Sequence, residues 1–139
     1  MDTTRISAMV VDDHPFQRSV LVELLHALGV ARIHDAADAA RARSSLRELG
    51  RPVDVLVCDP DLPGIDGAEL VRRVAAQRLA RALILCGAAR AGVRDRVAGV
   101  ARDGGLPVLG YLDPPLMARN LQGLLETLEE PPAAGAHPA

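Results

Sequence analysis

Val53-Asp54-Val55-Leu56-Val57-Cys58-Asp59-Pro60-Asp61-Leu62-Pro63-Gly64-Ile65-Asp66-Gly67 is the stretch that decides how the chain reads. Its opening half is aliphatic and β-branched, which predicts a buried strand over residues 53–58. Pro60 and Pro63 end that strand at an acidic corner. Asp66 then predicts the cap of a helix that sets Leu70, Val71 and Val74 on one face.

The same unit recurs in both directions. Upstream, residues 6–11 read as a strand, followed by Asp12, Asp13 and a Pro15 suited to the first turn of a helix. That helix, to about residue 28, carries Val20, Leu21, Leu24, Leu25 and Leu28 at helical spacing, and Gly29 ends it. A weaker strand follows over residues 32–36, then a helix capped by Asp38 and terminated by Gly50. Downstream come a strand at 82–86, a helix at 92–103, a strand at 108–112 and, past Pro114-Pro115, a helix at 116–128. Five β-α units in succession require parallel strands joined by helical crossovers. The fold class is therefore α/β: a doubly wound five-stranded parallel sheet, order 2-1-3-4-5, with helices on both faces. Residues 1–128 form one expected domain. Residues 129–139 are a Pro/Ala-rich tail, expected to be disordered or to start a linker.

Composition narrows the function. Of 139 residues, 49% are hydrophobic and 24% charged, which is globular composition. A net charge of −2, with Phe16 and Tyr111 as the only aromatics, argues against direct nucleic-acid binding. All 16 basic residues are Arg, so no ε-amine is available as base, Schiff-base former or compact point charge. Cys58 and Cys86 lie in apolar runs and read as buried, reduced thiols. No apolar run approaches the ~20 residues of a membrane span, and Asp12-Asp13 interrupts any signal-peptide core, so a cytoplasmic location is expected. His14 and His26 have no partner at ligand spacing along the chain and read as structural.

In open α/β sheets the ligand site lies beyond the carboxyl ends of the strands, where the strand order reverses. Asp12 and Asp13 end the first strand and Asp59 the third, so three carboxylates are expected to converge there. Asp13 could also be spent capping the first helix. A convergent cluster repels itself unless a cation is bound. Oxygen ligands with room for water suit Mg²⁺.

Val10-Val11-Asp12-Asp13, the Asp59-x-x-x-Pro63-x-x-x-Gly67 spacing and Gly110-Tyr111-Leu112 followed by Pro115 resemble the receiver domain of bacterial two-component response regulators. The resemblance spans residues 5–128 and implies a flavodoxin-like fold. It implies Asp59 as phosphoacceptor from a sensor histidine kinase or phosphotransfer protein. It further implies Mg²⁺ held by Asp13 and Asp59, by Asp12 through water and by the Asp61 backbone carbonyl, with Tyr111 as the switch aromatic. By this resemblance the chain is a signalling module and not an enzyme. The runs 12–18 and 105–110 resemble receivers that precede cyclic-di-GMP phosphodiesterase domains, so the effector is expected outside this chain.

Two positions depart from the pattern. Gly87 stands where receivers carry Ser or Thr at the end of the fourth strand, and Pro114 stands where they carry Lys. On this reading Gly87 merely lacks a hydroxyl, and restoring Thr at 87 with Lys at 114 speeds labelling. Arg90 or Arg94 could lean over the pocket instead. The alternative is a pseudo-receiver kept for phosphate-independent dimerisation, as a homodimer, or for protein docking. Asp59-Pro60-Asp61 also mimics the Asp-x-Asp of haloacid-dehalogenase-type phosphatases, but those need a downstream Lys that is absent here.

Overall fold

The computed structural model describes residues 2–63 and 67–128; the expected Asp66 cap and the tail lie outside them. Five strands, β1 (Ser7–Val11), β2 (Arg32–Ala36), β3 (Val55–Cys58), β4 (Leu83–Cys86) and β5 (Val108–Leu112), alternate with five helices. These are α1 (Pro15–Ala27), α2 (Ala39–Glu48), α3 (Gly67–Gln77), α4 (Ala91–Asp103) and α5 (Ala118–Leu125). The strands form one parallel sheet in the order β2-β1-β3-β4-β5.

Burial follows position in the sheet. β3 and β4 are buried at every residue and β1 at all but Ser7, as expected of strands covered on both faces. Alternation sends Met9, Val11, Leu56, Cys58, Leu83 and Leu85 to the layer under α2, α3 and α4. Ala8, Val10, Val55, Val57, Ile84 and Cys86 go to the layer under α1 and α5.

The element boundaries differ from the sequence reading where side chains compete with the ladder. The third strand starts at Val55, because Val53 makes its own bridge to Ala80 and the Asp54 carboxylate turns back to neighbouring donors. It accepts from the Ser7 N–H at 2.9 Å and from Arg81 Nη1 at 3.1 Å. The first and fourth strands start one residue late, at Ser7 and Leu83, and α1 ends at Ala27. The last helix starts at Ala118 and ends at Leu125, after the bend at Pro114-Pro115. Asp38 caps α2 as expected, accepting from the Arg41 N–H at 2.8 Å.

Candidate functional site: an acidic pocket at the carboxyl edge of the sheet

Parallel register carries Val11 of β1 alongside Cys58 of β3, so the residues that follow each strand meet at one edge. One ligand atom from each of Asp12, Asp13, His14 and Asp59 lies within 4.8 Å of the others. Asp12 and Asp59 are buried, whereas His14 sits at the open rim. The convergence expected from strand order is therefore present, and His14 belongs to it. His14 Nδ1 lies 3.2 Å from Asp13 Oδ1, 3.4 Å from Asp12 Oδ1 and 4.0 Å from Asp59 Oδ2. Linear spacing hid this, since the partner from β3 is 45 residues away along the chain.

The three carboxylates are engaged differently. Both Asp12 oxygens are taken by protein donors: Oδ1 accepts the His14 N–H at 2.9 Å and Oδ2 accepts the Gln17 side-chain amide. The Asp12 carbonyl accepts Arg18 Nη1 at 2.9 Å, and Arg18 Nε also pairs with Asp35 at 3.1 Å. Asp59 Oδ1 accepts the Asp61 N–H at 2.9 Å, while Oδ2 faces Gln17 Nε2 at 3.4 Å. Asp13 does not cap α1: His14 occupies the cap position, and Asp13 Oδ1 is buried with no hydrogen bond. Its nearest positive group is the His14 imidazole, Nδ1 at 3.2 Å, so three carboxylates share one rim histidine as counter-charge, and this oxygen-rich set fits Mg²⁺.

Electrostatics agree with the geometry. Burial pushes the Asp59 carboxyl above the usual range; the Asp61 N–H opposes this, and the charges of Asp12 and Asp13 add to it. The Asp13 charge raises His14 above its ordinary value, with Asp12 and Asp59 contributing. Burial, with Asp59 and Asp12 nearby, pushes the Cys58 thiol far up, and Cys86 is raised for the same main reason. Both cysteines are reduced and buried, as the sequence reading held.

At the corner after β3, Gly67 opens α3 against Pro60: a Cβ there would sit 2.5 Å from the Pro60 carbonyl oxygen. This close approach accounts for the glycine at the end of the Asp59-to-Gly67 spacing. Gly87 is a different matter. Its φ is +96°, and a Cβ would lie 3.0 Å from Asp59 Oδ2 and 3.1 Å from Gln17 Nε2. More is missing than a hydroxyl: a side chain at this positive φ is strained, and its Cβ would press on the Asp59 carboxylate and the Gln17 amide. A Thr at 87 would thus bring strain along with its hydroxyl.

Tyr111 is half-buried at the end of β5, with the Arg94 guanidinium 4.3 Å above its ring centroid. Arg94 Nη1 also donates to Asp113 at 2.6 Å. Arg94 is thus drawn toward Tyr111 and Asp113, and does not lean over Asp59. Pro114 is exposed beyond β5 and has no N–H to offer. Gln17, to which the sequence reading assigned no role, joins His14 in this pocket through its contacts to Asp12 and Asp59. Its position in the first turn of α1, five residues after Asp12, was the available signal.

A parallel sheet of this order with clustered carboxylates at the β1/β3 edge defines a flavodoxin-like signalling domain. The response regulator receiver domain family matches residues 8–104, and the chain belongs to that family. It acts as a receiver in two-component signalling. It is 32% identical over 123 residues to the chemotaxis protein CheY of Pseudomonas aeruginosa, covering 88% of this chain and 94% of that protein. It is 29% identical over 120 residues to the cyclic di-GMP phosphodiesterase RocR of the same species, covering 86% of this chain but only 30% of RocR. Among solved structures, the signal receiver domain of an HD domain-containing protein from Pseudomonas fluorescens aligns with a TM-score of 0.74 at 25% identity. That alignment covers 89% of this chain and 94% of the other. CheY4 of Vibrio cholerae aligns with a TM-score of 0.73 at 20% identity over 89% and 98%, a likeness of fold. No helix among the described residues is long and apolar enough to cross a membrane.

Proposed function

We propose that Asp59 accepts a phosphoryl group from the phosphohistidine of a sensor kinase or phosphotransfer protein, in the cytoplasm. Asp59 Oδ2 attacks phosphorus, the P–N bond breaks, and the imidazole leaves and takes up a proton. Asp59 Oδ1 is held by the Asp61 N–H at 2.9 Å, which leaves Oδ2, beside Gln17, as the attacking oxygen. Asp13 and Asp59 would hold Mg²⁺, with the Asp61 carbonyl and with Asp12 through water. The ion supplies positive charge against the incoming phosphoryl oxygens. The convergence of Asp12, Asp13 and Asp59 around His14, with Asp13 Oδ1 buried and without a hydrogen bond, supports this reading most directly.

A donor protein has to cover the pocket mouth to deliver its phosphoryl group. Phe16, 82% exposed in the first turn of α1, supplies apolar area at that rim. By its likeness to RocR, the output controlled by this chain is assigned to a cyclic-di-GMP phosphodiesterase activity carried by other residues or another protein.

Gly87 and Pro114 favour a second reading, a receiver fold kept for homodimerisation or docking without phosphate. Mass-resolved labelling with acetyl phosphate separates the two. The first expects one phosphoryl group on the parent in Mg²⁺, none after chelation and none on Asp59→Asn. An unlabelled parent favours the second.

A further inference from the structure

We propose that the side-chain amide of Gln17 is the phosphoryl-facing donor of this receiver, occupying the space that Gly87 leaves open. The inference rests on the reading that Asp59 accepts the phosphoryl group. Four features of the pocket converge on it.

The amide nitrogen lies between two carboxylates, bonded to Asp12 Oδ2 and 3.4 Å from Asp59 Oδ2. A carboxylate only accepts, so an NH₂ group with two donors is the end of Gln17 suited to this place. Second, the nitrogen stands 3.1 Å from where a Cβ of residue 87 would be. A side chain there would crowd the amide, so Gly87 and Gln17 form a matched pair. Third, Arg94, a basic side chain near this edge, is occupied by Asp113 and Tyr111. Fourth, the Gln17–Asp59 contact is longer than an optimal N–H···O bond of about 2.9–3.0 Å, so the resting carboxylate does not fully use the donor.

Transfer to Asp59 Oδ2 turns that atom into an ester oxygen and sets the phosphoryl oxygens one bond beyond it. These are stronger, more highly charged acceptors than the ester oxygen, and a bond from the amide to one of them is charge-assisted. The donor thereby interacts differently with the modified and resting states, which is the requirement for driving a change between them. Because Gln17 stands on α1, modification at Asp59 bears on α1 and not on the end of β4.

Beryllofluoride, a stable phosphoryl mimic, provides the test in Mg²⁺. On the parent, the Gln17 side-chain NH₂ resonances should shift on titration and saturate with the mimic. Gln17→Met, which keeps the shape and removes the donors, should weaken beryllofluoride affinity about tenfold or more and slow acetyl phosphate labelling in parallel. Both proteins are compared at saturating Mg²⁺, so that a change in metal affinity does not enter the comparison. Unshifted NH₂ resonances in a saturated parent overturn the proposal without any variant. Equal mimic affinity of parent and Gln17→Met overturns it too, while the Asp59 reading stands. A parent that takes up neither mimic nor acetyl phosphate overturns both.

Discussion

The pocket has two halves built on different terms. The β1/β3 half keeps the charged apparatus: Asp12, Asp13 and Asp59 converge around His14, and one buried oxygen of Asp13 makes no hydrogen bond. The β4/β5 half has none of the expected donors. Gly87 stands at φ +96°, where a side chain is strained, Pro114 has neither amine nor N–H, and Tyr111 is stacked under Arg94. The first half gathers negative charge, and the second half offers it no side-chain donor from residues 87 or 114. On the proposed reading, metal and phosphoryl chemistry rest on the first half alone.

The largest expected effect lies in the second half. Gly87→Thr should destabilise the protein by about 1–3 kcal/mol, the cost of holding a β-branched residue at positive φ, added to crowding against Asp59 and Gln17. Chemical denaturation measures it. A Thr variant as stable as the parent would show that the β4 end is not committed to glycine.

Asp59→Asn tests the first half, with a gain of about 1 kcal/mol in metal-free buffer, the usual size of stability recovered at a functional site. Burial raises the Asp59 carboxyl in the folded state. Stability from that group is therefore full below the ordinary carboxylate range and is lost as pH rises through the folded value. Thermal melts should show the Asn advantage growing over that window, absent at lower pH and shrinking when Mg²⁺ is added. A variant that melts below the parent at neutral pH without metal would break the idea of a self-repelling half.

How much of this was legible in the sequence depends on locality. Strand order and the convergence of Asp12, Asp13 and Asp59 follow from apolar runs and the reversal of the sheet, both readable along the chain. The role of Gly87 was not, because φ and the approach of Asp59 Oδ2 are set by a strand 28 residues earlier. His14 and Gln17 were missed for a related reason: a helix N-terminus aims its first-turn side chains at whatever ends the neighbouring strand. Sequence periodicity describes which face a residue is on, and says nothing about which carboxylate lies beyond it.

A smaller effect is expected at the Arg94–Tyr111 stack. Arg94→Ala removes a cation–π contact and an exposed ion pair, a loss of about 0.5–1 kcal/mol. Faster flipping of the Tyr111 ring, read by NMR, should accompany it. An unchanged ring would mean that packing beneath α4, and not the guanidinium, holds it.

The finest probe is His14. With Asp13, Asp12 and Asp59 around it, its imidazole should titrate above its ordinary value in metal-free buffer. Stability from this group is present below the ordinary value and fades as pH rises through the raised one. Asp13→Asn, or saturating Mg²⁺, should bring the NMR midpoint back down, because each removes net negative charge from the same half. A midpoint indifferent to both would separate His14 from the cluster.

Cys58 and Cys86 end adjacent strands, one residue before Asp59 and Gly87, yet they belong to opposite layers of the core. Cys58 is in register with Leu85 and shares its face; Cys86 is one step further along β4, so the two thiols lie on opposite faces of the sheet and are not set to bridge. Each is sealed under its own group of helices, so alkylating reagents can reach it only when that layer opens. The chain thus carries two internal clocks, one for the α2–α3–α4 layer and one for the α1–α5 layer. Their relative rates would reveal which side of the sheet loosens when the acidic edge changes its charge.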